Sequence, residues 1–361
     1  MPPRRRKRLD PSAFTLDVDK IRGGAYSERS IVRAREILLA TGAASGAEGR
    51  PPKVVVQISA ECRGIMAGTD EAIAILKLGV EEWSALTVHA LHDGDRVDEW
   101  ETVMTLEGEY TAFAHLISLC LGVLARRTKV STNASRFVDA ARPKSIMVFP
   151  SRHDHWLVQP GDAHAARIGG ATNMWSEAPA AGRNAPSIAA VPHSLIAVMG
   201  GSTVEAARRF AEHAGEGVQV IAPVDYENDA VRTSVEVARA LDGRLWGVHV
   251  ATSEHLVDRS IIPLMGDFPP AGVNPQLVWN VRNALDAEGL GDIKILASGG
   301  FTVEKIRHFE EEGVPVDAYG IGAELFAGQC GFTADVVELD GTPQTRAGRE
   351  RRENSRMERV R

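Results

Sequence analysis

A chain of 361 residues with 44% hydrophobic and 25% charged residues has the composition of a folded globular protein, which excludes extensive disorder. A net charge of -7 does not suggest nucleic-acid binding, and no apolar run approaches the length of a membrane span. The start lacks the apolar segment of a signal peptide, so a cytoplasmic protein with neither a nucleic-acid nor a membrane partner is expected. Residues 16–40 hold a turn, GGAYSERS, and then a helical pattern through Val32, Ile37 and Leu38. Residues 41–52, rich in Gly, Ala and Pro, read as a surface connection. KVVVQIS is a strand, EAIAILKLG a helix and ALTVHAL a second strand. HDGDRVDEWETVMTLEGEY follows as a compact β element built on Asp-Gly turns, and TAFAHLISLCLGVLARRT as a long, largely buried helix.

From about residue 130 the pattern changes to repeated strand and helix. IMVFP is a strand, and VQVIAPV another, with Asp225 after it. ENDAVRTSVEVARAL is an amphipathic helix with Val231, Val235 and Leu241 on one side. RLWGVHV and NPQLVWNVRNALDAEG are the next strand and helix. Residues 293–328 then read strand, Gly-rich turn, helix, strand and a second Gly-rich turn. Such alternation implies a parallel sheet with helical crossovers. The predicted class is therefore α/β, an irregular (β/α) TIM-like barrel with a smaller N-terminal α/β domain. The expected division is residues 1–129 for that domain, 130–335 for the barrel, and 336–361 for a C-terminal segment packing back on the N-terminal domain.

In a barrel the chemistry gathers at the carboxyl ends of the strands, which here means Asp225, residues 249–253, 298–300 and 320–323. The turns Ser298-Gly299-Gly300 and Gly320-Ile321-Gly322 suit a phosphate, because glycine lets backbone N–H groups approach its oxygens. Plain tight turns would use the same glycines. His153 and His155 alternate about Asp154, and on a strand both rings would face one side, a spacing open to a transition metal. Asp225 and Asp229 suit either Mg²⁺ at a strand end or a helix cap; function is expected of Asp225 and the cap of Asp229. Cys62, Cys120 and Cys330 are far apart and form no C-x-x-C pair, which argues against a disulfide framework and against a cysteine-rich zinc site.

FPSRHDHWLVQPGD, VPHSLIAVMGGSTVEAARRFAEH, VDYENDAVRTSVEVARAL, LASGGFTVEKIRHFEEEGVPVDAYGIGAEL and FTADVVELDG occur in fixed order. In these stretches the chain resembles the nicotinate phosphoribosyltransferase family, from near Leu16 to the terminal NSRMERV. The order fits that branch better than quinolinate phosphoribosyltransferase, which shares the fold. The resemblance implies a type II phosphoribosyltransferase fold and a homodimer whose active sites the partner subunit completes. It also implies the reaction: nicotinate and phosphoribosyl pyrophosphate give nicotinate mononucleotide and pyrophosphate, with Mg²⁺ as cofactor and ATP as co-substrate. Carried over by motif, Ser298, Gly299, Gly300, Gly320 and Gly322 would hold the 5′-phosphate. His193 would accept a phosphoryl group and Arg152 would lie near nicotinate and pyrophosphate; Asp225, from its own place at a strand end, is expected to act in catalysis and hold the metal. Tyr26, Arg167, His249 and Thr252 would meet the acceptor.

The chain departs from that family inside the expected pocket. The family's GVRLDTS reads Gly247-Val248-His249-Val250-Ala251-Thr252-Ser253, its STDAQ reads Trp175-Ser176-Glu177-Ala178-Pro179, and its GVGSS ends in Ala323-Glu324. A charged arginine and an aspartate are lost, and a carboxylate is gained beside a phosphate loop. Three readings follow: nicotinate as acceptor, another heteroaromatic acid as acceptor, or a non-catalytic nucleotide-binding homologue.

Overall fold

The computed structural model describes residues 7–41, 52–149, 152–171, 173–174, 188–215, 217–266 and 268–361. Residues 1–6, most of the 41–52 connection and the Trp175–Pro179 stretch lie outside them. The chain divides into two units, residues 1–132 with 164–169 and 328–361, and residues 133–163 with 170–327.

The first unit is an α/β layer on a six-stranded antiparallel sheet. Across it run Thr342–Pro343, Phe332–Leu339, Lys53–Ala60, Thr102–Glu109, Thr87–Ala90 and Glu358–Arg359. Lys53–Ala60 is central because seven consecutive residues after Lys53 are buried, so both of its faces are covered. The helix Thr69–Gly79 adds Ile73, Ile75 and Leu76 to the same core as Ile58 and Leu106. Arg127 and Glu71 form a nearly buried ion pair at 2.8 Å in this unit. A boundary at 335 would cut through Phe332–Leu339, which pairs along its whole length with Lys53–Ala60.

That pairing also corrects the cysteine expectation. Ala60 faces Phe332, so the residues just beyond, Cys62 and Cys330, meet with Cα atoms 5.3 Å apart and are joined as a disulfide. Their separation of 268 residues hides the proximity from spacing rules. Cys120 is buried and free, with burial pushing its thiol up to about 12, so it is inert packing. Denatured without reductant, the chain is expected to expose one titratable thiol out of three cysteines. Three titratable thiols would remove the cross-link.

The second unit is a seven-stranded parallel sheet. Its spatial order is Asn173–Met174, Ser145–Val148, Ala318–Ile321, Lys294–Ala297, Leu245–Val250, Gln219–Pro223 and Ile188–Ala190. The sheet is curled as a half-barrel, the α/β class that the alternation predicts. Helices Thr203–His213, Ala230–Leu241, Pro275–Ala287 and Val303–Glu311 cross between strands. Each opens on a side chain that accepts a backbone N–H of its first turn, from Ser202, Asp229, Asn274 and Thr302 respectively. Asp229 is thus the cap the sequence suggests, and such caps typically contribute about 1 kcal/mol.

Period-two alternation then places the site. Met147, Ile221, Leu296 and Ala318 cluster inside the sheet. Two residues further along each of those strands stand Phe149, Pro223, Ser298 and Gly320, all lining one cavity. The candidate site is therefore the layer above the inner core, at the carboxyl ends of the strands.

Candidate active site

The cavity is about 580 Å³ and belongs wholly to the second unit. Both glycine turns lie in its wall, after neighbouring parallel strands. Gly299 and Gly300 adopt φ of +99° and +62°, conformations that side-chain-bearing residues rarely take. Gly320 is required for a different reason: a Cβ there would stand 2.2 Å from Cε2 of Phe149. At Gly322 a Cβ would stand 2.5 Å from Nε2 of His153. Arg152, His193, His249 and Glu324 also line the cavity.

His193 opens a short helix, His193–Val198, after Pro192. Its Nε2 lies 3.0 Å from Oδ1 of Asp225, just beyond the strand Gln219–Pro223. The hydrogen bond to this carboxylate raises the imidazole's pKa, while burial pulls it down. With Asp225 accepting from Nε2–H, Nδ1 carries the free lone pair, the arrangement a nucleophilic imidazole needs.

His249 is different. Burial pushes its pKa down to about 4, so the ring is neutral near pH 7. Its Nε2 lies 2.6 Å from Oγ of Ser298, and its ring stacks on Phe149 with centroids 5.8 Å apart. Below it in chain order Gly247, and above it Ala251, share its face of the strand, so no charged group from this strand enters the cavity. Among the described lining residues Arg152 is the arginine and Glu324 the carboxylate.

Several expected residues fall elsewhere. Thr252 is 2% exposed and does not line the cavity, because one residue's offset from Ala251 turns it to the other face of the extended chain. Tyr26 and Arg167 belong to the first unit, Tyr26 on its surface and Arg167 in the helix Gln159–Ile168. His153 and His155 do not share a side, because residues 152–155 form a turn instead of a strand. His153 lines the cavity, whereas His155 accepts from the N–H of Leu157 and stacks on Trp156. Among the described residues no group of three His, Cys, Asp or Glu side chains comes together as a metal site. Sequence reasoning missed Phe149 and Phe301, which also line the cavity. Their signal is position, one directly after a strand and the other directly after the Ser-Gly-Gly turn.

Among the described residues no helix is long and apolar enough to cross a membrane. Comparison with known proteins follows the same geometry. Residues 37–128 match the family profile described as quinolinate phosphoribosyl transferase, N-terminal domain. A nicotinate phosphoribosyltransferase of Mycobacterium tuberculosis is 26% identical over 255 residues, covering 67% of this chain and 51% of that protein. The chain thus spans about half the length of that curated relative. A probable nicotinate-nucleotide pyrophosphorylase (carboxylating) of Methanothermobacter thermautotrophicus is 24% identical over 275 residues, covering 75% of this chain and 84% of that one. The crystal structure of nicotinate-nucleotide pyrophosphorylase from Pyrococcus furiosus superimposes with a TM-score of 0.75 at 28% identity, covering 95% of this chain and 81% of that chain. The half-barrel, the glycine turns at its strand ends and these likenesses agree: the chain has the type II phosphoribosyltransferase fold and is similar to members of that family.

Proposed function

We propose that the chain transfers a phosphoribosyl group from phosphoribosyl pyrophosphate to nicotinate, giving nicotinate mononucleotide and pyrophosphate, with ATP hydrolysis coupled to the reaction. The observation that carries this reading is the His193–Asp225 pair, 3.0 Å apart, in one cavity with both glycine turns. The nicotinate ring nitrogen attacks the anomeric carbon as the bond to pyrophosphate breaks, and the leaving group takes the bonding electrons. The turns at Ser298–Gly300 and Gly320–Gly322 bind the 5′-phosphate, and Arg152 meets the negative charge of nicotinate or pyrophosphate. His193 takes the γ-phosphoryl of ATP on Nδ1, releasing ADP, and later passes it to water. Asp225 would help hold Mg²⁺, since its Oδ1 accepts from His193 while no described residue bonds Oδ2, and phosphate oxygens would supply further hard ligands. Such an ion would neutralise charge developing on pyrophosphate. A homodimer and a cytoplasmic setting belong to this proposal.

A pyridine dicarboxylate fits less well, because the described lining offers one arginine against the Glu324 carboxylate. The neutral His249 and the apolar Ala251 favour a second reading, in which the acceptor is another heteroaromatic ring. Pyrophosphate release from phosphoribosyl pyrophosphate with Mg²⁺ and nicotinate, with and without ATP, separates the two when the product is weighed by mass spectrometry. Nicotinate mononucleotide, formed faster with ATP, is the expected result. Turnover confined to other heteroaromatic acceptors would transfer the conclusion to the second reading. Absence of turnover with every acceptor, together with no binding of phosphoribosyl pyrophosphate, would remove both.

A further inference from the structure

Lys305 stands in the first turn of the helix Val303–Glu311, six residues after Gly299, and is absent from every role assigned above. Its ammonium lies 4.5 Å from the centroid of Phe301 and 5.9 Å from that of Phe309, so two rings take it partly out of water. Phe301 is itself held in place, with ring centroids 4.9 Å from Phe309 and 5.2 Å from the fully buried Tyr319. Glu254 is the acidic group whose field reaches Lys305, yet no carboxylate among the described residues comes within ion-pairing distance of Nζ. The hydrogen bond that Nζ makes is to the carbonyl oxygen of Gly299, at 3.3 Å.

That bond has a directional consequence. In a trans peptide the carbonyl oxygen and the following N–H point in opposite directions. Among the described residues the cis peptide is Arg142–Pro143, so the Gly299–Gly300 unit is trans. A carbonyl held by Lys305 therefore fixes the Gly300 N–H on the opposite side of the peptide plane. Both glycines line the cavity, and both lack a Cβ that would otherwise restrict rotation of this plane. Without an anchor the plane is free to turn, and the direction of the Gly300 N–H is no longer set.

We propose that Lys305 is a positioning residue for the phosphate-binding turn, holding the Gly299 carbonyl so that the Gly300 N–H faces the phosphate, and adding its positive charge behind the turn. This rests on the phosphoribosyl reading, and it concerns the 5′-phosphate subsite alone. Removal of the anchor should therefore weaken a ribose phosphate and leave pyrophosphate binding untouched.

The test is calorimetric titration of the full chain with ribose 5-phosphate and, separately, with pyrophosphate and Mg²⁺, for wild type, Lys305→Met and Lys305→Arg. Lys305→Met keeps the apolar stem over the two rings and removes the donor. It is expected to weaken ribose 5-phosphate about tenfold, as loss of one charge-assisted hydrogen bond does, with pyrophosphate affinity unchanged. Lys305→Arg restores most of the loss. In turnover the same variant should raise KM for phosphoribosyl pyrophosphate about tenfold and leave kcat within about twofold. Equal affinity of wild type and Lys305→Met for ribose 5-phosphate overturns the proposal, as does an equal loss of both ligands. Failure of wild type to bind ribose 5-phosphate at all would instead remove the phosphoribosyl reading beneath it.

Discussion

His193→Ala is expected to abolish the stimulation of phosphoribosyl transfer by ATP, a loss of about a hundredfold to ten-thousandfold in the coupled rate. The slower transfer without ATP should survive, because both glycine turns and Arg152 are unchanged. Asp225→Asn separates the chemistry of the pair from its mere presence. The hydrogen bond to Asp225 is the main cause of the raised pKa of His193, so replacing the carboxylate removes it and burial then dominates. Phosphoryl transfer needs the neutral ring. In wild type the acid limb of the ATP-coupled rate should lie above the imidazole's ordinary pKa of about 6.5, and in Asp225→Asn it should move to lower pH. The coupled rate at its optimum should still fall, since the amide no longer selects the tautomer with a free Nδ1. For stability the sign follows from the raised pKa. The pair contributes fully below the unfolded imidazole's pKa and fades as pH rises through the folded value. ATP stimulation of His193→Ala equal to that of wild type would end the phosphoryl-acceptor role.

The strand and helix alternation after residue 130 was legible because each period is set by local geometry. VQVIAPV and RLWGVHV are strands whose inner faces need only alternate residues. The two glycine turns were legible for the same reason, since their positions follow directly from the strands that precede them. Three other features could not be read so. Thr252 was expected in the acceptor's path, but the parity that brings His249 and Ala251 into the cavity turns it away. His153 and His155 share a face only on a strand, and the chain turns there instead. Cys62 and Cys330 are brought together by pairing between strands nearly the whole chain apart, which no spacing rule reports. The loss of an arginine at His249 was visible in the residues, whereas its neutral state was not. That state depends above all on burial, a product of the tertiary fold.

Gly320→Ala should be the most damaging single methyl in the chain's cavity. The added Cβ would meet Cε2 of Phe149 at 2.2 Å and Cβ of Ser298 at 2.8 Å, both too close for any real contact. The Ser298 atom is tied to its own backbone and cannot retreat without moving the Ser-Gly-Gly turn. The Phe149 ring can swing, but its stack on His249 is then lost, and the His249–Ser298 hydrogen bond is strained from both ends. Overpacking of this kind typically costs about 1–3 kcal/mol in stability, which should lower the melting temperature while the protein still folds. Activity should fall further, by about a hundredfold or more, because the ring, the histidine and the Ser-Gly-Gly turn all shift together. Gly322→Ala is the control for stability alone, since Gly322 belongs to the turn proposed to bind phosphate. Its Cβ would stand 2.5 Å from Nε2 of His153, the far end of an exposed side chain that can rotate away. A melting curve and a turnover rate for each variant decide the matter. If Gly322→Ala lowers the melting temperature as much as Gly320→Ala, contact with Phe149 is not what makes the Gly320 methyl costly.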